Sequence, residues 1–153
     1  MNILTVRPVD VVIEHLSCPP IPSVDLYVDG RRLLDLVLRA ETAARRSAGN
    51  PDEPNEYLPM AVHNVRGPQH YLGSPVDYWA DPGATALLGC DCGEWDCHPL
   101  TARVNVGHRD VAWSVFRSAT HEWGPLPIGP FLFDRAQYEA AFTAIHWGPG
   151  TGG

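Results

Sequence analysis

Charge is scarce in this 153-residue sequence: Asp, Glu, Lys and Arg make up 19% of it, and the net charge is −7. A nonspecific grip on nucleic acid needs clustered Lys and Arg against phosphate, so the balance counts against that class. The basic clusters, Arg31-Arg32 and Arg45-Arg46, flank a predicted helix and read as its solvated face. Long apolar runs are also missing. No segment approaches the roughly 20 apolar residues that span a bilayer. The start, MNILTVRPVDVVIEHL, lacks the basic head and continuous apolar run of a signal peptide, because Asp10 and Glu14 interrupt it. The expected location is the cytoplasm, where thiols stay reduced. The dinucleotide loop GxGxxG, the P-loop, HExxH and GxSxG are all absent. The zinc-deaminase signature of His-x-Glu upstream of Pro-Cys-x-x-Cys fails as well, since the nearest text, His121-Glu122, is adjacent and downstream.

Apolar residues make up 44%, enough for a core, and 14 glycines with 15 prolines favour short elements and many turns. Residues 3–16 read as one or two strands, with Val9, Val11 and Ile13 alternating and Pro8 a candidate break. Val24–Val28 is a second strand, closed by the tight-turn pair Asp29-Gly30. A helix is predicted over 31–46 from Leu33, Leu34, Val37, Leu38 and Glu41, stopping near Gly49-Asn50-Pro51. Residues 49–83 read as a long irregular loop marked by Pro51, Pro54, Pro59, Pro68, Pro75 and Pro82. Strands follow at Ala84–Cys90, Pro99–Val106 and Val111–Arg117, the last with Val111, Trp113 and Val115 on one face. After a loop over 118–130, Asp134 is a natural N-cap and Gln137 completes a capping-box-like pair. Phe133 and Tyr138 form a candidate staple, and Tyr138, Ala141, Phe142 and Ile145 form one apolar stripe, ended by Gly148-Pro149. The expected fold is a single α+β domain over 1–149, an antiparallel meander of about five strands with two packed helices, and a disordered tail at 150–153.

The stretch LLGCDCGEWDCHPL, residues 87–100, concentrates the unusual chemistry. Cys90, Cys92 and Cys97 lie on one strand connection. Zinc takes four ligands near tetrahedral geometry, and three thiolates with one imidazole suffice. His98 is adjacent to Cys97 and points the other way in an extended chain, so a distant histidine is preferred: His63, His70, His108 or His121, with His121 the chosen candidate. The two separated CxxC pairs of a zinc ribbon are missing, so packed or free thiols and a disulfide or redox role stay open beside a metal site. Three thiolates blunt Lewis acidity, which makes any zinc here structural rather than catalytic. Cys18, ahead of Pro19 and Pro20, reads as a small packed thiol.

Leu88-Gly89-Cys90-Asp91-Cys92-Gly93-Glu94 with Cys97-x-Pro99-Leu100, together with Gly129-Pro130-Phe131-x-Phe133-Asp134-Arg135-x-Gln137-Tyr138, resembles a group of small uncharacterised actinobacterial proteins. Tyr27-Val28-Asp29-Gly30 and Val111-x-Trp113-Ser114-x-Phe116-Arg117 fit the same pattern, so the resemblance covers most of the chain. It implies no transferable activity. An aromatic is frequent in that group where this chain has His98, which counts against His98 as an obligatory ligand. Two functions are carried forward. One is a small cytoplasmic module that binds a protein partner or small molecule, with a structural zinc at Cys90, Cys92, Cys97 and His121. The other is a small-molecule enzyme whose pocket is lined by Arg117, His121 and the aromatic residues of the 57–79 loop: Tyr57, Tyr71, Tyr78 and Trp79.

Overall fold

The structure is a computed structural model that describes residues 1–47, 49, 57–118 and 124–148. The predicted tail at 150–153, together with His121, Glu122 and Trp123, lies outside the described residues. The strands are β1 (Leu4–Val11), β2 (Ile21–Val28), β3 (Arg31–Arg32), β4 (Tyr57–Ala61), β5 (Thr85–Cys90), β6 (Leu100–Val106), β7 (Asp110–Ser118) and β8 (Phe131–Asp134). The helices are α1 (Leu33–Ser47), α2 (Val62–Val65) and α3 (Arg135–Ala141). The strands form an eight-stranded antiparallel sheet in the order β1-β2-β4-β5-β6-β7-β8, with β3 paired to β2. The fold is thus mixed helix and strand around an antiparallel sheet, as expected, but larger than the predicted five strands and two helices. Among the described residues no helix is long and apolar enough to cross a membrane.

Most of the difference lies where prolines argue against strands. Pro8 does not break β1; it pairs in register opposite Val24 on a strand whose other side carries no ladder, the one place a sheet accepts proline. Residues 57–71, expected as loop, hold β4, α2 and a 3₁₀ turn over Pro68–Tyr71. Pro59 sits in β4 where the strand changes partner: residues 57–59 pair with β5 and residues 60–61 with β2. The predicted helix start moves from 31 to 33, because Arg31 and Arg32 return along β2 after a turn with Asp29 at φ 52° and Gly30 at φ 80°.

The sheet nearly closes into a barrel. Asn2 bridges to Phe133 in parallel, its N–H donating to the Leu132 carbonyl (2.8 Å) and its side-chain oxygen accepting from the Leu132 N–H (2.9 Å). Asp29 holds the same corner by accepting from the Asn2 amide and the Ile3 N–H, both at 2.7 Å, and these two bonds draw its carboxyl below the usual range. Asp134 caps α3 as predicted, accepting from the Gln137 N–H at 3.0 Å. Gln137 does not return to the cap. Its side-chain oxygen accepts from the Leu4 N–H (3.1 Å) and its nitrogen donates to the Leu4 carbonyl (2.6 Å), satisfying the first residue of β1.

Aromatic rings fill the interior next to this seam. Phe133 and Tyr138 form the staple, with centroids 5.3 Å apart, and Trp113 stands edge-on to both. The buried Tyr138 hydroxyl accepts from Trp113 Nε1 (3.0 Å) and donates to the Tyr71 carbonyl (2.7 Å). Strand β7 departs from simple alternation. A bulge between the partners of Thr101 and Arg103 rotates the strand, so Phe116 is buried where Val115 was expected, and Val115 is 42% exposed at φ 53°.

Replacing Tyr138→Phe leaves the Trp113 indole N–H and the Tyr71 carbonyl without their buried partner, and should cost about 1–3 kcal/mol, read by urea unfolding. Val115→Gly acts in the opposite direction. It removes a β-branched side chain from the left-handed region at little packing loss, and should raise stability by about 1 kcal/mol, seen as a higher urea midpoint with unchanged slope.

Candidate metal centre

Strand β5 carries the site. All six of its residues are buried, which places Cys90, at its end, inside the sheet opposite Tyr57 of β4. The chain then turns through residues 91–98 and re-enters as β6. Gly93 N–H bonds to the Cys90 carbonyl (3.5 Å) and Cys97 N–H to the Glu94 carbonyl (3.2 Å), folding the connection into two tight turns. Two glycines make this possible. At Gly89 a Cβ would lie 3.0 Å from Trp95 Cβ, so the bare backbone lets Trp95 fold over the strand. Gly93 adopts φ +100°, and a Cβ there would meet Leu16 Cδ1 at 2.9 Å.

The result gathers three thiols. The Sγ atoms of Cys90, Cys92 and Cys97 all lie within 4.8 Å of one another. Around a tetrahedral zinc with Zn–S bonds of about 2.3 Å, sulfurs stand roughly 3.8 Å apart, so closure onto an ion needs a contraction of no more than about 1 Å. All four cysteines are free: Cys90 is buried, while Cys92, Cys97 and Cys18 are exposed. The open disulfide alternative is therefore not the state of this structure, and Cys18 is not the packed thiol expected. The three-thiol group is the arrangement that can hold a metal among the described residues, and His98 is not a member of it.

The electrostatics favour a cation. Burial pushes the Cys90 thiol up to about 12, with the neighbouring Cys92 and Cys97 adding to the rise. Cys97 is also raised, first by its hydrogen bond with the Cys92 side chain. The Cys92 N–H donates to Cys90 Sγ at 3.5 Å, a bond that stabilises sulfur as it gains negative charge. Their surroundings thus hold the Cys90 and Cys97 thiols toward the protonated form. A metal ion exchanges those protons for its own charge.

Two other segments brace the hairpin. The His15 ring lies with Nε2 3.2 Å from the Cys92 carbonyl, and Leu16 packs at Gly93. Buried Tyr78 stands 6.0 Å from Trp95, and its hydroxyl is raised by burial and then by the charges of Asp96 and Cys97. A small cavity of about 80 Å³ behind the hairpin is bounded by Gly89, Cys90, Trp95 and, from α2, His63.

Of the enzyme reading's residues, His121 lies outside the described residues. Arg117 is exposed on β7, opposite Thr101. Tyr57, Tyr71 and Tyr78 are core residues, whereas Trp79 is 73% exposed. His70 is fully buried and bonded to the Ala86 carbonyl (2.8 Å) and the Val76 N–H (2.9 Å), a structural histidine whose imidazolium is disfavoured by desolvation. His108 lies exposed at the β6–β7 turn.

One polar group went unread in the sequence. Glu41 and Arg45 of α1, expected partly on the solvated face, are 1% and 6% exposed and lie 3.6 Å apart. The Tyr57 hydroxyl donates to Glu41 and stands 3.0 Å from the Ser118 hydroxyl. The signal available was spacing alone, since Leu33, Val37, Glu41 and Arg45 repeat every four residues along the buried face.

Metal-free protein should therefore expose its thiols unequally. Alkylation near pH 8, followed by peptide mass mapping, should label Cys18 and Cys92 first and Cys90 last. Because the folded Cys90 thiol titrates near 12 and the unfolded one near 9, the unfolded chain releases its proton first as pH rises. The metal-free protein should thus lose stability across that window. No protein-family model matches the chain, and no curated protein or solved structure matches it either.

Proposed function

We propose that the protein is a small cytoplasmic binding or interaction module whose Cys90-Cys92-Cys97 hairpin holds a structural zinc ion, with His121 as the fourth ligand. The observation that carries the reading is the approach of three thiol sulfurs to within 4.8 Å on one short connection. The donor chemistry supports zinc: soft sulfur ligands with one imidazole suit it, and three thiolates leave the ion a poor Lewis acid. His121 is favoured by chain direction. Ser118, where β7 ends, pairs opposite Leu100, the residue on which the hairpin returns to the sheet. The chain thus leaves β7 at the end of the sheet that carries the hairpin, and His121 follows three residues later. Zinc would join the end of β5 to the start of β6 and fix the turn between them.

Elemental analysis of untagged protein should find close to one equivalent of zinc; less than about a tenth of an equivalent overturns the metal centre. Cys92→Ser and Cys97→Ser should each lose the zinc and lower Tm by about 10 °C, in line with the few kcal/mol contributed by a tightly bound ion. His121→Ala should release zinc to a chelator at least tenfold faster, while His98→Ala should not. Full zinc content with unchanged release from His121→Ala would leave the three-thiol centre standing and remove His121 from it.

A further inference from the structure

An apolar recess with convergent polar groups lies between the β1–β2 hairpin, α2 and the segment that follows α3. It holds about 640 Å³, within the range of small-molecule sites. Pro22, Val62, Ile145 and Trp147 give it apolar walls. Three cationic or protonatable side chains, His63, Arg66 and His146, stand at its rim against one carboxylate, Asp10.

Arg66 adds an independent observation. It ends α2 in the left-handed conformation, φ 70° and ψ −2°, which a bulky side chain adopts at a cost, and its N–H closes the turn onto the Val62 carbonyl at 3.1 Å. The ion pairs of the described residues take up Arg32, Arg45, Arg103 and Arg135, and Arg66 is in none of them. Strained backbone thus sets a guanidinium, without a described carboxylate partner, at the mouth of an apolar recess.

We propose that this cleft binds a small organic carboxylate with a flat apolar body, the body lying against Trp147 and Ile145 and the carboxylate meeting Arg66. Arginine suits the task because its planar fork takes both carboxylate oxygens at once. His63, His146 and Asp10 line the same cleft. The recess shares Ser23 and His63 with the small cavity that Cys90 bounds, but none of its lining residues is a proposed zinc ligand.

Calorimetric titration of the full chain with naphthalene-2-carboxylate, and with its neutral amide as the matched control, tests the assignment. The carboxylate should bind with a submillimolar Kd and the amide at least fivefold more weakly. Arg66→Gln should bring the carboxylate down to the level of the amide and leave amide binding unchanged. Trp147→Ala should weaken both. Equal affinity for the two probes, indifference to Arg66→Gln, or binding of neither probe at millimolar concentration would overturn the proposal. Binding that appears only after residues 149–153 are removed would overturn it too, since the chain's own C-terminal segment would then be the occupant.

Discussion

One buried oxygen joins three parts of this molecule that share no sequence proximity. The Tyr138 hydroxyl takes the Trp113 indole N–H from β7 and gives its proton to the Tyr71 carbonyl of the 3₁₀ turn. Each of these groups is closed off from water, so each would cost about 1–3 kcal/mol if left unmade. With both bonds formed, the ring of Tyr138 can sit among Trp113, Phe133 and Phe142 without leaving a polar atom stranded. That seat fixes α3. Because α3 is fixed, Gln137 reaches the first residue of β1, and the barrel-like curl of the sheet has something to close against.

The thiol hairpin rests on a different logic. Its position comes from β5, a strand buried along its whole length, and its shape comes from two glycines that admit Trp95 and Leu16. What remains is a cluster of three sulfurs in which Cys90 and Cys97 resist ionisation until a cation replaces their protons. The Cys92 N–H already points at Cys90 Sγ, so part of the polar environment of a bound thiolate exists before any ion arrives. The surrounding carboxylates, Asp91, Glu94 and Asp96, add to the preference for positive charge.

Features set by neighbours in sequence are the ones that can be read in advance. Asp134 as N-cap, the Phe133–Tyr138 staple and the meander of β5, β6 and β7 are local, and so is the cluster of three thiols, because all three come from one turn. Features that need a distant partner are not. Pro59 reads as a loop marker, and only the exchange of partners from β5 to β2 makes room for it in a strand. Val115 fits the alternation of β7, and only pairing with β6 reveals the bulge that turns it outward. Arg45 reads as solvated until Glu41, Tyr57 and Ser118 are brought beneath it. Gln137 belongs by pattern to its own helix cap, yet its side chain serves a strand 133 residues away. Tyr78 and His15 as braces of the hairpin are invisible for the same reason.

That last separation sets an order of events during synthesis. The β1–β2 hairpin emerges well before the partners that close its outer side, Leu132 and Gln137. Until those partners emerge β1 is an open edge, ready to template a strand from another copy. Contacts of such long range also slow the final closure. Pro8, in the middle of β1 and without an N–H to offer, interrupts that edge while the rest of the chain is still being made.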